Sequence, residues 1–363
     1  MSREISLYKK LLKYGVEITF LTYGDESDFN YSDLLKGIRI VPILGMIKSK
    51  IPKFKFIKSL FLPFKLKKIF RNIDIIKTNQ VEGSWIGCIA KILYRKKLIV
   101  RAGFEGLRNY ITLSKVKGRK NYFKYLFYYF KIYILEFIAY KMADKIILTS
   151  ELDINFILKK FKLEKKKKNI FHFYNFIDVD LFKPMNLEKK DKHVLFIGIL
   201  YTAKNLINLL NAFKDLKGFT LDIIGKGKQK EILKKLAKEL GIRVNFLGRF
   251  PNEQLPEIIN QYQIFILPSY YEGNPRVLLE SMSCGVACIG TNVRGISNLI
   301  KHKENGYLCE IDSKSIREAI LTLYRDKKLR EKIGQNAREF ILNNCSLDLI
   351  LKKEFSLYKS LFY

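Results

Sequence analysis

The stretch EGNPRVLLE, Glu272 to Glu280, holds two carboxylates with seven residues between them. One lies in a Gly-Asn-Pro turn. The other is flanked by Val277, Leu278, Leu279 and Met282, where an unpaired charge is costly. The β-like run QIFILPSYY precedes the stretch, and SMSCG followed by a second apolar run, VACIG, comes after it. The order is strand, turn, helix, strand. Pro275 suits a first helical turn, where its missing N–H costs nothing. The free N–H groups of such a helix start, with those of Gly273 and Asn274, point to the carboxyl end of the strand and make an anion site. Glu280, about one and a half turns further in, is placed to accept two hydrogen bonds from a vicinal diol such as that of a ribose. Glu272 sits on the turn. The residues alone leave a second reading open, a turn Glu beside a helix Glu held in a salt bridge.

Outward from this stretch, the second half alternates strand and helix. HVLFIGIL, TLDIIG, RVNFLG, QIFILPS, VACIGTN and GYLCEI read as strands. NLINLLNAFKDL, KQKEILKKLAKELG and PNEQLPEIINQY read as helices between them, and SIREAILTLYRDKKLREKIGQNAREFI reads as one long helix. That alternation predicts a parallel sheet covered by helices, with ligands at the carboxyl ends of its strands. The first half opens on a helix, ISLYKKLLKYG, and continues with VEITFLTYG, IRIVPIL, DIIKTNQ, KLIVRAG, DKIILTS and NIFHFYN as strands. The expected fold is α/β: two Rossmann-like domains with a cleft between them, residues 1–184 and 185–345, followed by a C-terminal helix at 346–363 that is free to pack back on the first domain. FYNFIDVDLFKP, 173–184, reads as the linker. Because a helix follows Met1 at once, the N-terminal sheet is expected to lack its usual first strand, or the chain to be truncated there.

Composition narrows the function classes. With 363 residues, 48% hydrophobic and 28% charged, the chain can bury two cores and is not disordered. Its formal net charge is +32. Residues 1–184 hold 38 Lys and Arg against 16 Asp and Glu, whereas 185–363 hold 29 against 19. The surplus belongs mainly to the first half and attracts anions, or it is lysine spread over a solvated surface. Residues 48–71 carry nine basic residues and no acidic one among Phe, Ile and Leu, and 115–133 mix basic residues with aromatics. Such mixtures suit an anionic membrane surface, a docked helix with a basic outer face, or a nucleic-acid platform. No nucleic-acid-binding module signature is present, so no nucleic-acid partner is expected. The cysteines, Cys88, Cys284, Cys288, Cys309 and Cys345, form no CxxC pair and read as reduced, packed thiols in a cytoplasmic protein. Asp178-Val179-Asp180 spells a metal-binding DxD but sits in the linker, where a backbone turn explains it. No metal site is expected, and His172, His193 and His302 have no clustered partner in the sequence.

The segment EGNPRVLLESMSCGVACIGTNVRGISNLI, followed by ENGYLCE, resembles glycosyltransferase family 4, the retaining GT-B enzymes with an E-x7-E motif, among the glycosyl transferases group 1. IGILYTAKNLINLLNAF, IIGKGKQKEILKKLAKELGIRVNFLG and YNFIDVDLFKP are similar to that family's diphosphate loop, GxG turn and linker, in the right order. The resemblance implies a glycosyltransferase using a nucleotide-sugar donor and no cofactor, independent of metal, in surface polysaccharide or lipopolysaccharide assembly. The acceptor would be a glycan or a lipid-linked sugar, and the enzyme would sit peripherally on the inner face of the membrane. Glu280 would hold the ribose and Glu272 would face the transferred sugar. Lys204, with the amides of Gly273, Asn274 and Arg276, would bind the diphosphate, and Gly225 and Gly227 would let the backbone approach the nucleoside. Where many members carry a His, the chain reads RAGFEG, so Arg101 or Glu105 would line the acceptor side. Ile199 stands where the family often has Arg. A degenerate scaffold that binds nucleotide sugar or lipid without turnover is the alternative.

Overall fold

The structure is a computed structural model that describes residues 2–47, 52–103, 105–117 and 122–362. Parts of the two basic stretches, 48–51 and 118–121, lie outside the described residues. The chain divides into two compact units, Met1–Phe173 with Ile350–Tyr363, and Tyr174–Leu349.

The first unit runs α1 (Ser2–Leu12), β1 (Ile18–Thr22), β2 (Ile38–Pro42), α2 (Pro52–Leu60), α3 (Leu62–Lys65), α4 (Lys67–Arg71), β3 (Ile75–Thr78), α5 (Ser84–Tyr94), β4 (Lys97–Ala102), α6 (Gly106–Lys117), α7 (Tyr122–Met142), β5 (Lys145–Leu148), α8 (Glu151–Phe161) and β6 (Ile170–His172). All its ladders are parallel, but they form two sheets, β1-β2 and β3-β4-β5-β6. In the common doubly wound order 3-2-1-4-5-6 a first strand joins two such halves. Among the described residues, α1 precedes β1 and no strand joins them.

The second unit runs β7 (His193–Ile197), α9 (Leu206–Phe213), β8 (Thr220–Ile224), α10 (Lys230–Glu239), β9 (Arg243–Gly248), α11 (Leu255–Asn260), β10 (Ile264–Leu267), α12 (Arg276–Ser283), β11 (Ala287–Thr291), β12 (Tyr307–Cys309), α13 (Ser313–Arg325), α14 (Lys327–Asn344) and the start of α15 (Leu347–Lys359). Its six parallel strands lie in the order β12-β11-β10-β7-β8-β9. The order reverses between β7 and β10, the switch point where such sheets bind ligands. Strands β8, β10 and β11 are buried along their whole length, which is why they read as unbroken apolar runs.

Three details differ from the sequence reading. The long helix expected after Ser315 breaks at Asp326, whose carboxylate accepts the Leu329 N–H at 2.9 Å and caps α14. Pro275 is the residue before α12 rather than its first. His193 has a close partner after all: its Nδ1 lies 2.7 Å from Asp222 Oδ2, and Asp222 also accepts from Tyr262 and Asn245. In the linker, the Asp178 carboxylate accepts the N–H groups of Asp180 and Leu181. All five cysteines are buried free thiols.

One buried charge pair ties α15 into the first unit. Lys77, on β3, donates to Glu354 Oε2 at 2.5 Å, and Tyr358 donates to the same oxygen at 2.7 Å. Burial pushes the Glu354 carboxyl up, but the charges of Lys77 and Arg101 outweigh it and hold the group below the usual carboxylate range. Removing one partner strands the other charge, so Glu354→Ala should destabilise the first unit by about 3–5 kcal/mol. Because the folded value is depressed, the contribution is present above about pH 4.3 and lost as pH falls through the lower folded value. Thermal denaturation of both proteins across pH 3–7 checks this; equal melting temperatures at pH 7 would refute it.

Candidate active site

Four loops meet at the carboxyl edge of the second sheet: 198–205 after β7, 225–229 after β8, 268–275 after β10 and 292–296 after β11. Backbone hydrogen bonds stitch them together. The Gly198 N–H donates to Ile224 and that of Leu200 to Lys226, while the Tyr270 N–H donates to Ala203 at 2.8 Å and that of Glu272 to Arg294 at 3.2 Å. The contacts need glycines. A Cβ on Gly225 would collide with the carbonyl oxygen of Gly198, and one on Gly227 with that of Leu200. The room these two glycines make is filled by the chain's own loop, the one that leads to Lys204.

Lys204 closes a short 3-10 turn, Thr202–Lys204, and its ammonium donates to Glu272 Oε1. Ser269 Oγ donates to the same oxygen at 2.6 Å. Two residues 68 apart in sequence are thus joined in a largely buried ion pair at the sheet's switch point. Glu272 also affects its neighbours. Burial first, and then its negative charge, push the Tyr201 hydroxyl up to about 12, and Tyr271 is raised for the same reasons.

Directly after the turn that carries Glu272, α12 starts at Arg276. Asn274 is fixed from the linker: Asn175 N–H donates to its side-chain oxygen at 3.1 Å, and Asn175 Nδ2 donates to its carbonyl at 2.7 Å. Arg276 stacks its guanidinium over Phe176, 5.1 Å from the ring centre. Glu280 is buried on α12, and together with burial its charge raises the Cys284 thiol to about 12. Gly273, Asn274, Arg276, Glu272, Glu280, Lys204, Gly225 and Gly227 therefore gather around one sheet edge in one unit.

Arg101 and Glu105 belong to the first unit, and both are buried. Arg101 donates to Asn79 at 2.8 Å. Glu105 accepts the hydroxyl of Tyr140, and its carbonyl accepts from Asn109. Each is engaged with neighbours inside its own unit. Ile199 is 64% exposed on the loop before Lys204.

The comparisons with known proteins agree with this geometry. Residues 179–340 match the family model described as glycosyl transferases group 1. The chain is 32% identical over 301 residues to the N-acetylgalactosamine-N,N'-diacetylbacillosaminyl-diphospho-undecaprenol 4-alpha-N-acetylgalactosaminyltransferase of Campylobacter jejuni, covering 80% of this chain and 78% of that one. The chain belongs to the group 1 glycosyl transferases. It is also 31% identical over 212 residues to the N-acetyl-alpha-D-glucosaminyl L-malate synthase of Bacillus anthracis, a match spanning 54% of this chain and 55% of that protein. Among solved structures, HepE from Anabaena, determined with UDP and glucose, superimposes with a TM-score of 0.77 at 16% identity, covering 99% of this chain and 95% of that one. The fold of this glycosyltransferase is GT-B, with two Rossmann-like domains.

Reasoning from sequence passed over four residues that shape the site: Asn175, Tyr201, Ser269 and Gly295. Gly295 had a visible signal, a glycine in a turn directly after a strand, but not its reason. Its φ is +86°, and a Cβ there would strike the carbonyl oxygens of Glu272 and Gly273. Gly241 also has positive φ, +64°, with open space around it. Both variants share the positive-φ strain, so Gly295→Ala should cost about 1–3 kcal/mol more than Gly241→Ala, the range for an added group forced into a packed site. Thermal denaturation of the two variants measures the difference, and equal losses would show that the loop contact is soft.

Proposed function

We propose that this glycosyltransferase moves a sugar from a UDP-sugar to a lipid-linked glycan acceptor, with retention at the anomeric carbon and no metal. The observation that carries the reading is the Lys204–Glu272 pair at the switch point, beside the start of α12. In the reaction the bond from the anomeric carbon to the diphosphate oxygen breaks. The acceptor hydroxyl oxygen forms the new bond, and its proton passes to the departing diphosphate. Negative charge grows on that diphosphate, so a lysine and the N–H groups at the start of α12 stabilise the transition state more than the ground state. That source of charge stabilisation is why no metal is invoked.

Each residue then has a role. Lys204 and the amides of Gly273, Asn274 and Arg276 hold the diphosphate. Glu280 accepts from the ribose hydroxyls, Glu272 faces the transferred sugar, and the Gly225–Gly227 turn lies along the nucleoside. Lys204 exchanges its contact with Glu272 for the donor phosphates, which frees Glu272 for the sugar hydroxyls. UDP is chosen because the similarly folded HepE was solved with it. The diphospho-undecaprenol in the Campylobacter jejuni relative's name favours a lipid-linked acceptor. Attachment to the inner face of the membrane follows from such an acceptor and from the basic, Phe-rich helices α2–α4. No helix among the described residues is long and apolar enough to cross a membrane.

Two substitutions separate the roles by calorimetry. Lys204→Ala should weaken UDP binding by about 1.5–3 kcal/mol, the range for a hydrogen bond to a charged group, and leave uridine binding nearly unchanged. Equal loss for UDP and uridine would make Lys204 structural. Glu280→Ala should weaken UDP and uridine by a similar amount each, because both carry the ribose. Unchanged binding in a folded Glu280→Ala protein would remove the ribose assignment.

A further inference from the structure

Helix α7, YFKYLFYYFKIYILEFIAYKM, carries large apolar residues on every side, with three lysines among them. A helix of that kind is normally enclosed by protein or by lipid. Here one side is enclosed: Tyr129, Ile132, Tyr133, Phe137, Ala139 and Tyr140 pack into the core of the first unit, and the helix's one acidic residue, Glu136, is buried there. The other side is open. Phe123 is 83% exposed, Phe127 67%, Phe130 55%, Ile134 52% and Ile138 42%. Their spacing of four, three, four and four residues sets them in a single stripe. At 1.5 Å per residue the stripe is about 22 Å long.

We propose that this stripe is an insertion surface that lies flat in the interface of an anionic bilayer. Charge identifies the occupant. Lys124 and Lys131 flank the stripe, Lys141 follows it, and no acidic side chain of α7 lies on the exposed face. Aromatic rings beside lysines match the interfacial zone, where rings sit among headgroups and ammonium groups meet lipid phosphates. A second copy of the same face would instead set lysine against lysine. The neighbouring helices extend the pattern. Helix α5, which packs on α7 and on α2–α4, exposes Ile92, and α2–α3 expose Phe54, Ile57, Phe61 and Phe64 at a spacing of three, four and three. The inference rests on the proposal that this enzyme works at a membrane, and it names the insertion surface.

The chain has a single tryptophan, Trp85, so a reporter can be moved. In a Trp85→Phe background, Phe127→Trp should shift its fluorescence to the blue and be quenched by brominated acyl chains. This should occur with vesicles of phosphatidylcholine mixed with phosphatidylglycerol, and not with phosphatidylcholine alone. In flotation assays Phe127→Glu with Ile134→Glu should lower partitioning by at least about tenfold, equivalent to 1.4 kcal/mol. Both positions are exposed, so the fold should persist. UDP binding, measured on the same proteins, should stay unchanged, and it reports the donor site separately. Flotation of the double variant at wild-type strength would overturn the insertion surface, as would unquenched indole fluorescence from the Phe127→Trp protein on bound vesicles. A dimer in light scattering that the double variant turns into a monomer would overturn it in favour of a second copy.

Discussion

The active-site architecture depends on how closely backbone can approach backbone at the carboxyl edge of the second sheet. Loop 198–200 lies against Gly225 and Gly227, and Gly295 lies against the carbonyls of Glu272 and Gly273. No side chain fits at any of these three points. The close stacking brings the turn that carries Lys204 within reach of the turn that carries Glu272, and a backbone bond from Tyr270 to Ala203 holds the two together. A Cβ at one of these glycines would part loops on which the charge pair depends.

The pair itself is a compact solution to a solvation problem. A fixed, largely buried cation such as Lys204 would be costly without a counter-charge, and the diphosphate proposed as its ligand would have to replace that counter-charge. Glu272 supplies the counter-charge, and Ser269 orients the carboxylate. The helix start of α12 adds partial positive charge that needs no desolvation of an ammonium. Charge is thus kept, in balance, at the edge of a sheet that packs on a large apolar core.

The first unit handles charge differently. Its buried carboxylates are matched by cations, Glu354 by Lys77 and Asp153 by the half-buried Arg108, while its surface carries the basic surplus beside large exposed aromatics on α2–α3 and α7. That division is the one the proposed membrane surface asks for: a neutralised inside and a basic, aromatic outside. The Lys204–Glu272 pair and the exposed aromatic helices reside in different units.

The strands could be read in the chain because most of them are short apolar runs bounded by polar or glycine residues, and in parallel sheets that pattern is local. EGNPRVLLE could be read for the same reason, since a turn, a helix start and a buried Glu lie within nine residues. The break of the long helix at Asp326 was also written locally, in a capping residue. What lay beyond the sequence was every contact that joins distant segments. The partnership of Lys204 with Glu272, of Asn175 with Asn274 and of His193 with Asp222 follows from strand order and register, which no local pattern encodes. The same holds for Arg101 and Glu105: the resemblance set them on the acceptor side by their place in the chain, and their burial on and just after β4 was not written there. The exposed stripe of α7 is the converse case. Its sequence carries large apolar residues on all sides, and only packing against the core decides which side is left for solvent or lipid.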